Sequence, residues 1–267
     1  ISLKTNGNAN VTAQTFALDV VATTQSIAMG NRYVDGLMRG QGNITTKLTR
    51  VDKRWRAENA SITTPQFNAD AAITLADDGT SIATADVKVN NIGLFVSGVQ
   101  GAAVASATAK SIAQGWQIDG TASGPGGIGA TVNGTASADG RQLNLKLDGT
   151  APLALADQFI APRSAGGIAR YDLRVAGPAQ LSSLSGTVAF NDARVSLPNL
   201  RMSLYEITGT AQLTNGQARL DLLGYSSTGG RFDVDGPIGL EAPNNADLNV
   251  KFTNIGIKEA GLYESTI

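Results

Sequence analysis

Apolar and polar positions along this chain alternate with a period of two residues, which is typical of β-strands with one apolar face. From Gln142 to Asp148, for example, leucine occupies every second position and the residues between are polar. In the second half of the chain, the alternating apolar positions form a set that we call the apolar stripe. Its members are Leu143, Leu145, Leu147, Tyr171, Leu173, Val188, Phe190, Leu220, Leu222, Phe232, Val234, Leu248, Val250 and Phe252.

Turn signals separate the alternating segments at roughly strand-length spacing. They are Asp78-Gly79, Asp139-Gly140, Asn215-Gly216 and Asp235-Gly236-Pro237. Asp-Gly and Asn-Gly favour tight hairpins because both central residues of a type I′ turn need a positive φ. The first half of the chain alternates more weakly, over Phe16–Val20, Ile44–Leu48, Phe67–Leu75 and Ala85–Val89. The pattern therefore predicts a meander of consecutive antiparallel hairpins.

A short unit recurs within this pattern. Its three copies are Gly134–Leu145, Gly186–Leu197 and Gly209–Leu220, and each begins with Gly-Thr, as in Gly209-Thr210. Each copy predicts a strand, a turn of Asp, Asn or Gly, and a second strand.

Helical candidates are few and short. Asn31–Arg39 and Lys258–Glu264 each suit a turn or two, and Leu153–Ile160, between two prolines, suits a short amphipathic helix that plugs one end of a sheet. None is long enough to form a layer against the sheet. We expect an all-β, elongated, antiparallel, U-shaped sheet (a β-taco) with an apolar groove and a few very short helices.

The composition of the chain limits the kinds of functional site that it can form. The 267 residues carry a net charge of -1 and include neither cysteine nor histidine. Disulfides and histidine-based catalytic triads are thereby excluded, and the chain has no basic field for nucleic acid. No apolar run is long enough for a transmembrane helix.

Local motifs do not indicate a cofactor, a metal or an enzyme. Gly124–Gly129 matches G-x-G-x-x-G, but the alternating residues after it favour a glycine-rich turn over a nucleotide site. Asp77-Asp78-Gly79 reads as a turn, with too few oxygen ligands at loop spacing for calcium. We expect no catalytic residue, no metal site and no cofactor. Trp55, between Arg54 and Arg56, and Trp116 suit either the core or an interface with lipid or a partner.

The apolar stripe has two interpretations. In a sandwich, two sheets bury it against each other. In a curved single sheet it remains an apolar groove, larger than a soluble monomer normally exposes, which acyl chains or a partner would cover.

Several segments resemble the TamB family, which are AsmA-like proteins of the Gram-negative envelope. The resemblance is specific after about Ala151, and Met38–Arg50 is similar to the more divergent preceding repeats of the family. The segments that carry it are Leu153–Pro162, Gly167–Pro178, Leu184–Val195, Gly229–Leu240, Ala246–Ile257 and Leu262–Glu264.

The resemblance implies a long taco-shaped β-structure with an apolar interior that crosses the periplasm. It implies work with TamA, an outer-membrane barrel, in outer-membrane protein assembly and in phospholipid movement between the membranes. We expect the chain to be a fragment of a longer protein that a helix outside it anchors in the inner membrane. Contact with a TamA-like barrel is expected through regions outside this fragment.

On this basis the chain is expected to be one segment, 1–267, with divergent repeats over 1–123 and more regular ones over 124–267, joined at Gly124–Gly127. Its expected function is passive transport of phospholipid acyl chains in a groove lined by the 14 residues of the stripe. The alternative is a scaffold that holds barrel strands by β-augmentation. An adhesin-like β-helix is disfavoured by irregular turn spacing, and a transmembrane barrel by the lack of aromatic girdles.

Overall fold

The computed structural model describes residues 1–10, 15–30, 32–94, 99–241, 243, 245–259 and 263–266. Antiparallel β-strands make up most of this part of the chain, and the helices in it are few and very short. The predicted all-β antiparallel fold is confirmed. The chain divides into two compact units, of which unit 1 is Ile1–Pro125 with Thr131–Gly140, and unit 2 is Gly126–Ala130 with Arg141–Ile267.

Unit 1 is a meander in which each strand from β1 to β8 pairs with the next along the chain. A short helix, α1 (Arg32–Leu37), lies between β2 and β3. The strands are β1 (Ser2–Asn10), β2 (Thr15–Gln25), β3 (Gln41–Val51), β4 (Arg54–Thr63), β5 (Phe67–Leu75), β6 (Ile82–Val89), β7 (Ala103–Ile112), β8 (Gly115–Gly124) and β9 (Ile128–Ala136), which belongs to this unit from Thr131 onward.

In unit 2, too, most strands pair with the next strand along the chain. Strand β10 pairs with β12, β11 with β13, and β12 to β17 pair successively, while β18 and β19 form a separate hairpin. Its elements are β10 (Leu143–Pro152), α2 (Asp157–Ile160), β11 (Ser164–Gly166), β12 (Ile168–Gly177), β13 (Leu184–Leu197), β14 (Met202–Thr214), β15 (Gln217–Ser226), β16 (Arg231–Gly239), β17 (Asn249–Thr253), β18 (Gly256–Glu259) and β19 (Tyr263–Thr266).

The pairing register keeps apolar residues on one side of each sheet. Residues directly opposite one another in an antiparallel pair point to the same face, so the pairs define rows that run across the strands. One such row in unit 2 consists of Ala169, Phe190, Gly209, Leu222, Val234 and Val250. Alternation along each strand is thus converted into apolar rows across the sheet.

Three β-bulges preserve this arrangement where the sequence alternation breaks. The register shifts between Ala57 and Ala60, between Phe190 and Ala193, and between Tyr205 and Thr208. At each bulge one residue adopts a left-handed conformation, with φ of 50° at Asn59, 56° at Asp192 and 50° at Glu206. The extra residue returns the following apolar side chain to the apolar side of the sheet.

The repeated glycine of the Gly-Thr unit has a steric role in the strand. At Gly209 φ is +137°, and an added Cβ would overlap the carbonyl oxygen of Asp221 on the neighbouring strand. Gly186 is constrained in the same way by Asp172 of β12. Only glycine fits these positions, and the flanking strands place Phe190 and Leu222 beside Gly209.

Three local predictions are wrong. Asp235-Gly236-Pro237 lies inside β16, because Gly236 takes up a φ of +140° within the strand. The turn predicted in the second copy, around Asp192, is a bulge within the continuous strand β13. Part of Lys258–Glu264, predicted as a helical turn, belongs to strands β18 and β19, and residues 260–262 lie outside the described residues.

Other local predictions are confirmed. Asp78-Gly79, Asp139-Gly140 and Asn215-Gly216 lie at turns between strands. Leu153–Ile160 is a short 3₁₀-helix followed by α2, and α1 lies within the predicted Asn31–Arg39, of which Asn31 is outside the described residues. The remaining single-turn 3₁₀-helices are Ile92–Leu94, Pro125–Gly127, Leu181–Ser183 and Pro198–Leu200.

Replacing Gly209 with alanine should destabilise unit 2, because the added methyl group meets backbone that cannot move without breaking the strand ladder. We expect a loss of about 2 kcal/mol or more from positive-φ strain and overlap together. Gly166→Ala is the matched control, since Gly166 has open space around it and no positive φ. Urea unfolding followed by circular dichroism should show a lower midpoint only for Gly209→Ala, and equal midpoints would contradict the steric account.

Candidate functional site

The apolar face of unit 2 is the side of its sheet on which β10 and β12 to β17 place alternate apolar residues. The register puts all 14 residues of the predicted stripe on this face. Leu147 pairs with Leu173, for instance, and Leu222 pairs with Val234. Leu248 lies just before β17, with its Cα beside Gly236. The structure therefore brings the whole set together on one surface.

Charged residues of these strands lie on the opposite face. Arg219 donates two hydrogen bonds to the carboxylate of Asp235, at 2.8 and 2.9 Å. Lys146 forms ion pairs with Asp148 and Asp172, at 3.4 and 3.9 Å. Along β10 and β12 to β17, the alternation leaves no charged side chain on the apolar face. The two faces are therefore chemically distinct.

Exposure varies across the apolar face. Most of the stripe residues on β10, β12, β13 and β15 are half-buried. Phe232 on β16 is only 3% exposed, whereas its cross-strand partner Phe252 on β17 is 47% exposed. Val250 is 42% exposed. The face is thus filled by the chain's own side chains in some places and open in others.

One end of the face is closed by a compact cluster. Ala193, Ile207, Phe232 and Ile255 are buried together there. Leu153, from the 3₁₀-helix after β10, packs against this cluster, together with Phe190, Val195, Met202, Leu204, Leu222 and Val234. At this end the stripe residues are covered by other side chains of the same unit. Leu153 also occupies the plugging position that the sequence predicted for Leu153–Ile160.

A second cluster lies nearer the other ends of the same strands. Ala211, Leu213 and Ala218 are buried in it. The stripe residues Leu173, Val188, Phe190 and Leu220 pack around them and remain partly accessible. The buried residues here are two alanines and one leucine, and the larger stripe residues around them keep part of their surface accessible.

Polar atoms on the face are satisfied within the chain. The hydroxyl of Tyr171 donates a hydrogen bond to the carbonyl oxygen of Gly129, at 3.1 Å. Burial, with a smaller contribution from the negative charge of Asp148, raises the pKa of Tyr171 above its usual value, so the phenol stays neutral at physiological pH. The Ser226 hydroxyl lies 2.8 Å from that of Thr228. Neither group is left for an external ligand.

Sequence reasoning missed several residues of this face. Ala193, Ile207 and Leu204 fall out of phase with the alternation because bulges intervene, and Ile255 follows the last strand of the sheet. An Asp or Asn inside a strand is a weak signal for a left-handed bulge residue, and it was present at Asp192. Glu206 carried no such signal.

The described part of the chain was also searched for metal-binding and phosphate-binding sites. No cluster of three or more Asp or Glu residues there could hold a metal ion. The chain after Gly124–Gly127 continues as strand β9, as the glycine-rich turn interpretation predicted, and a strand cannot supply the helix N-terminus that phosphate binding needs.

No family model, curated protein or solved structure matches this chain. Among the residues described, no helix has the length and apolar character to cross a membrane.

Phe232 and Phe252 allow a direct test of which part of the face is closed. Phe232→Ala should cost about 3–5 kcal/mol, because it leaves a cavity in a buried cluster. Phe252→Ala, directly opposite on β17, should cost about 1 kcal/mol or less, because nearly half of the side chain is already exposed. Urea denaturation of both variants measures the difference, and similar costs would show that the face is uniformly packed or uniformly open.

Proposed function

We propose that this chain is a non-enzymatic segment of a phospholipid conduit, of the TamB-like kind that its sequence resembles. In this proposal it acts in the periplasm of a Gram-negative bacterium, where the apolar face of unit 2 holds acyl chains between the inner and outer membranes. It would also support outer-membrane protein assembly. The observation that carries the proposal is an uncharged apolar face that remains partly exposed, at Val250 and Phe252 above all.

The chemistry of the face favours hydrocarbon over an extended peptide as its occupant. A peptide laid on the face would bury backbone N–H and C=O groups, each of which costs free energy unless it finds a partner. The hydroxyls of Tyr171 and Ser226 are already engaged within the chain. An acyl chain makes no such demand and gains about 0.8 kcal/mol for each buried CH₂ group.

The length of the apolar rows also suits acyl chains. Seven strands, β10 and β12 to β17, pair successively across the sheet. With neighbouring strands about 4.8 Å apart, the rows extend for roughly 29 Å. A bilayer core of about 30 Å contains two acyl lengths, so one row matches about two chains end to end.

Passive movement requires that no single position bind a chain tightly. The rows are built mainly from leucine, valine, alanine and glycine, which offer similar contacts at successive strands. Phe190, Phe232 and Phe252 are the phenylalanines of the stripe, and Phe232 is already covered. An acyl chain can therefore exchange one set of contacts for an equivalent set as it moves, with its polar head group in water.

Purified protein should contain phospholipid, and polar substitutions on the open strand should reduce it. We expect Val250→Asn with Phe252→Asn to lower bound lipid about tenfold, since the loss of roughly 1.4 kcal/mol of apolar contact corresponds to that factor. Native mass spectrometry and lipid extraction give the lipid-to-protein ratio.

The matched control is Leu223→Asn with Tyr225→Asn. These residues lie on the opposite face, on strand β15, which β16 separates from β17, and they are similarly exposed, at 38% for Leu223. The control should retain its lipid. An equal loss in both double variants, with both folded by circular dichroism, would contradict the assignment of the face.

The second candidate function, β-augmentation, is favoured by the edge strand β1. It pairs with β2 along one side, no second strand among the described residues of unit 1 pairs with it, and all nine of its residues are exposed. Natural edge strands are usually protected by several charges, proline or a bulge, whereas β1 contains only Lys4 as a charged residue. Such an edge can accept an added strand.

Hydrogen exchange separates the two functions. An added barrel-strand peptide that pairs with the edge should slow amide exchange across Ser2–Asn10 without displacing lipid. The scaffold function is preferred if the purified protein contains no lipid and the peptide protects β1. It is rejected if β1 amides exchange at the same rate with and without peptide.

A further inference from the structure

The two tryptophans of the chain, which the lipid groove of unit 2 does not use, lie in one row of unit 1. Trp55 pairs across the sheet with Arg50 and with Leu75, and Arg50 pairs with Phe16. Trp116 pairs with Ser111, whose backbone N–H donates to Ser81. We call this row the rim of unit 1, and its members are Phe16, Arg50, Trp55, Leu75, Ser81, Ser111 and Trp116.

The rim is the last row of the apolar side of unit 1, next to the turns. The rows further from the turns contain alanine, as in Ala71, Ala85 and Ala107, which pair in succession, together with larger aliphatic residues such as Leu48 and Ile73. Both tryptophans therefore lie at the end of the apolar side next to the turns, whereas Phe67, at the opposite end of β5, is buried. Tryptophan is enriched where an apolar surface meets water in proteins that contact membranes, because its ring is apolar and its N–H is polar.

Arg50 is the one charged residue on the apolar side of β1 to β8. Its guanidinium lies 4.9 Å from the ring centroid of Trp55, which packs edge-to-face against Phe16 with ring centroids 5.2 Å apart. The arrangement holds a cation against aromatic rings at the edge of the apolar surface. Trp55 is nevertheless 44% exposed.

The hairpin between β3 and β4 adds positive charge beside the rim. Lys53, Arg54 and Arg56 follow Arg50 within six residues, and the exposed Val51 lies among them. An open cavity of about 420 Å³ lies on the other side of the hairpin, lined by Thr49, Val51, Asp52, Arg54 and Arg56. Guanidinium groups with a threonine hydroxyl suit phosphate oxygens.

Arg54 is held in place by its neighbours. It donates hydrogen bonds to Asp78 at 2.7 Å and to Thr80 at 3.2 Å. Hydrogen bonds from Thr80, with smaller contributions from Arg54, hold the pKa of Asp78 below its usual value, so this carboxylate stays ionised at neutral pH. The nearby acidic groups, Asp52, Asp77 and Asp78, are outnumbered by the four cations from Arg50 to Arg56.

We propose that the rim of unit 1 and the β3–β4 hairpin form a docking surface for a bilayer that contains anionic phospholipid. Trp55 lies at the level of the head groups, and Lys53, Arg54 and Arg56 contact their phosphates. Charge complementarity and the adjoining exposed apolar side chains select this partner, since Lys and Arg side chains are attracted to the surface of an anionic membrane. This inference goes beyond the proposed function and does not require lipid in the face of unit 2.

The test measures binding of the full chain to vesicles of phosphatidylcholine alone and of phosphatidylcholine mixed with phosphatidylglycerol. We expect sedimentation with the mixed vesicles and a blue shift of tryptophan emission, observed in a Trp116→Phe variant so that Trp55 alone reports. Lys53→Glu with Arg56→Glu should weaken the binding at least tenfold, because two positive charges beside the anionic surface are replaced by two negative ones.

The matched control, Lys4→Glu with Lys88→Glu, changes the net charge equally on strands β1 and β6, away from the hairpin. It should bind like the unmodified chain, and both variants should give the same circular dichroism. The proposal is overturned if binding ignores phosphatidylglycerol, if both double variants lose binding equally, or if Trp55 emission does not change. A shift of Trp55 emission produced equally by inorganic phosphate alone would instead indicate a site for the free ion and would also overturn the proposal.

These outcomes are distinguishable from failure of the lipid conduit. The hairpin variant should retain co-purified phospholipid, and the Val250→Asn, Phe252→Asn variant should retain vesicle binding. If the Val250→Asn, Phe252→Asn variant loses only lipid content, lipid binding belongs to unit 2. If the hairpin variant loses only vesicle binding, vesicle binding belongs to unit 1.

Discussion

The constraint on which this structure depends is the cross-strand register of an antiparallel meander. Because opposite residues in each pair share a face, period-two alternation along the strands becomes a set of apolar rows across them. A shift of one residue would move a whole strand's apolar set to the polar face. At Asn59, Asp192 and Glu206 the alternation of apolar and polar residues shifts by one position. A β-bulge at each of them adds one residue to the strand, so that the following apolar side chains return to the apolar face. The function proposed for unit 2 follows from an intact set of rows.

The apolar rows of the two units are built from different side chains. In unit 1 alanine occupies many positions of the rows, beside larger aliphatic residues, and each alanine buries little apolar area. In unit 2 leucine, valine and phenylalanine form two packed clusters that close part of the face and leave β17 open. In the proposed function, the packed clusters would stabilise the fold and the open part of the face would contact the acyl chain. On the apolar side of β1 to β8, the one charged residue, Arg50, and both tryptophans lie in the rim, beside the turns.

The strands and the membership of the apolar face could largely be predicted from the sequence, because both follow from the alternation of apolar and polar residues. Alternation fixes which side chains share a face, so it predicts that Leu143, Val188, Leu220 and the rest of the stripe lie on one surface. Alternation does not report how the chain covers that face. Phe232 and Phe252 have the same sequence signature and pair directly, yet one is buried and the other is half exposed. The bulge at Glu206 and the strand conformation of Gly236 depend on neighbouring strands, and a local turn rule misassigned the segment at Gly236.

The central claim is that hydrocarbon contacts the apolar face of unit 2 and not the opposite face. The chain contains no cysteine, so one environment-sensitive fluorophore can be attached at a single introduced thiol. Labels at Val250→Cys and Leu223→Cys probe the two faces at positions of similar exposure. Titration with phospholipid should shift the emission of the Val250→Cys label to the blue and leave the Leu223→Cys label unchanged. Equal shifts at both positions, or no shift at Val250→Cys, would contradict the account.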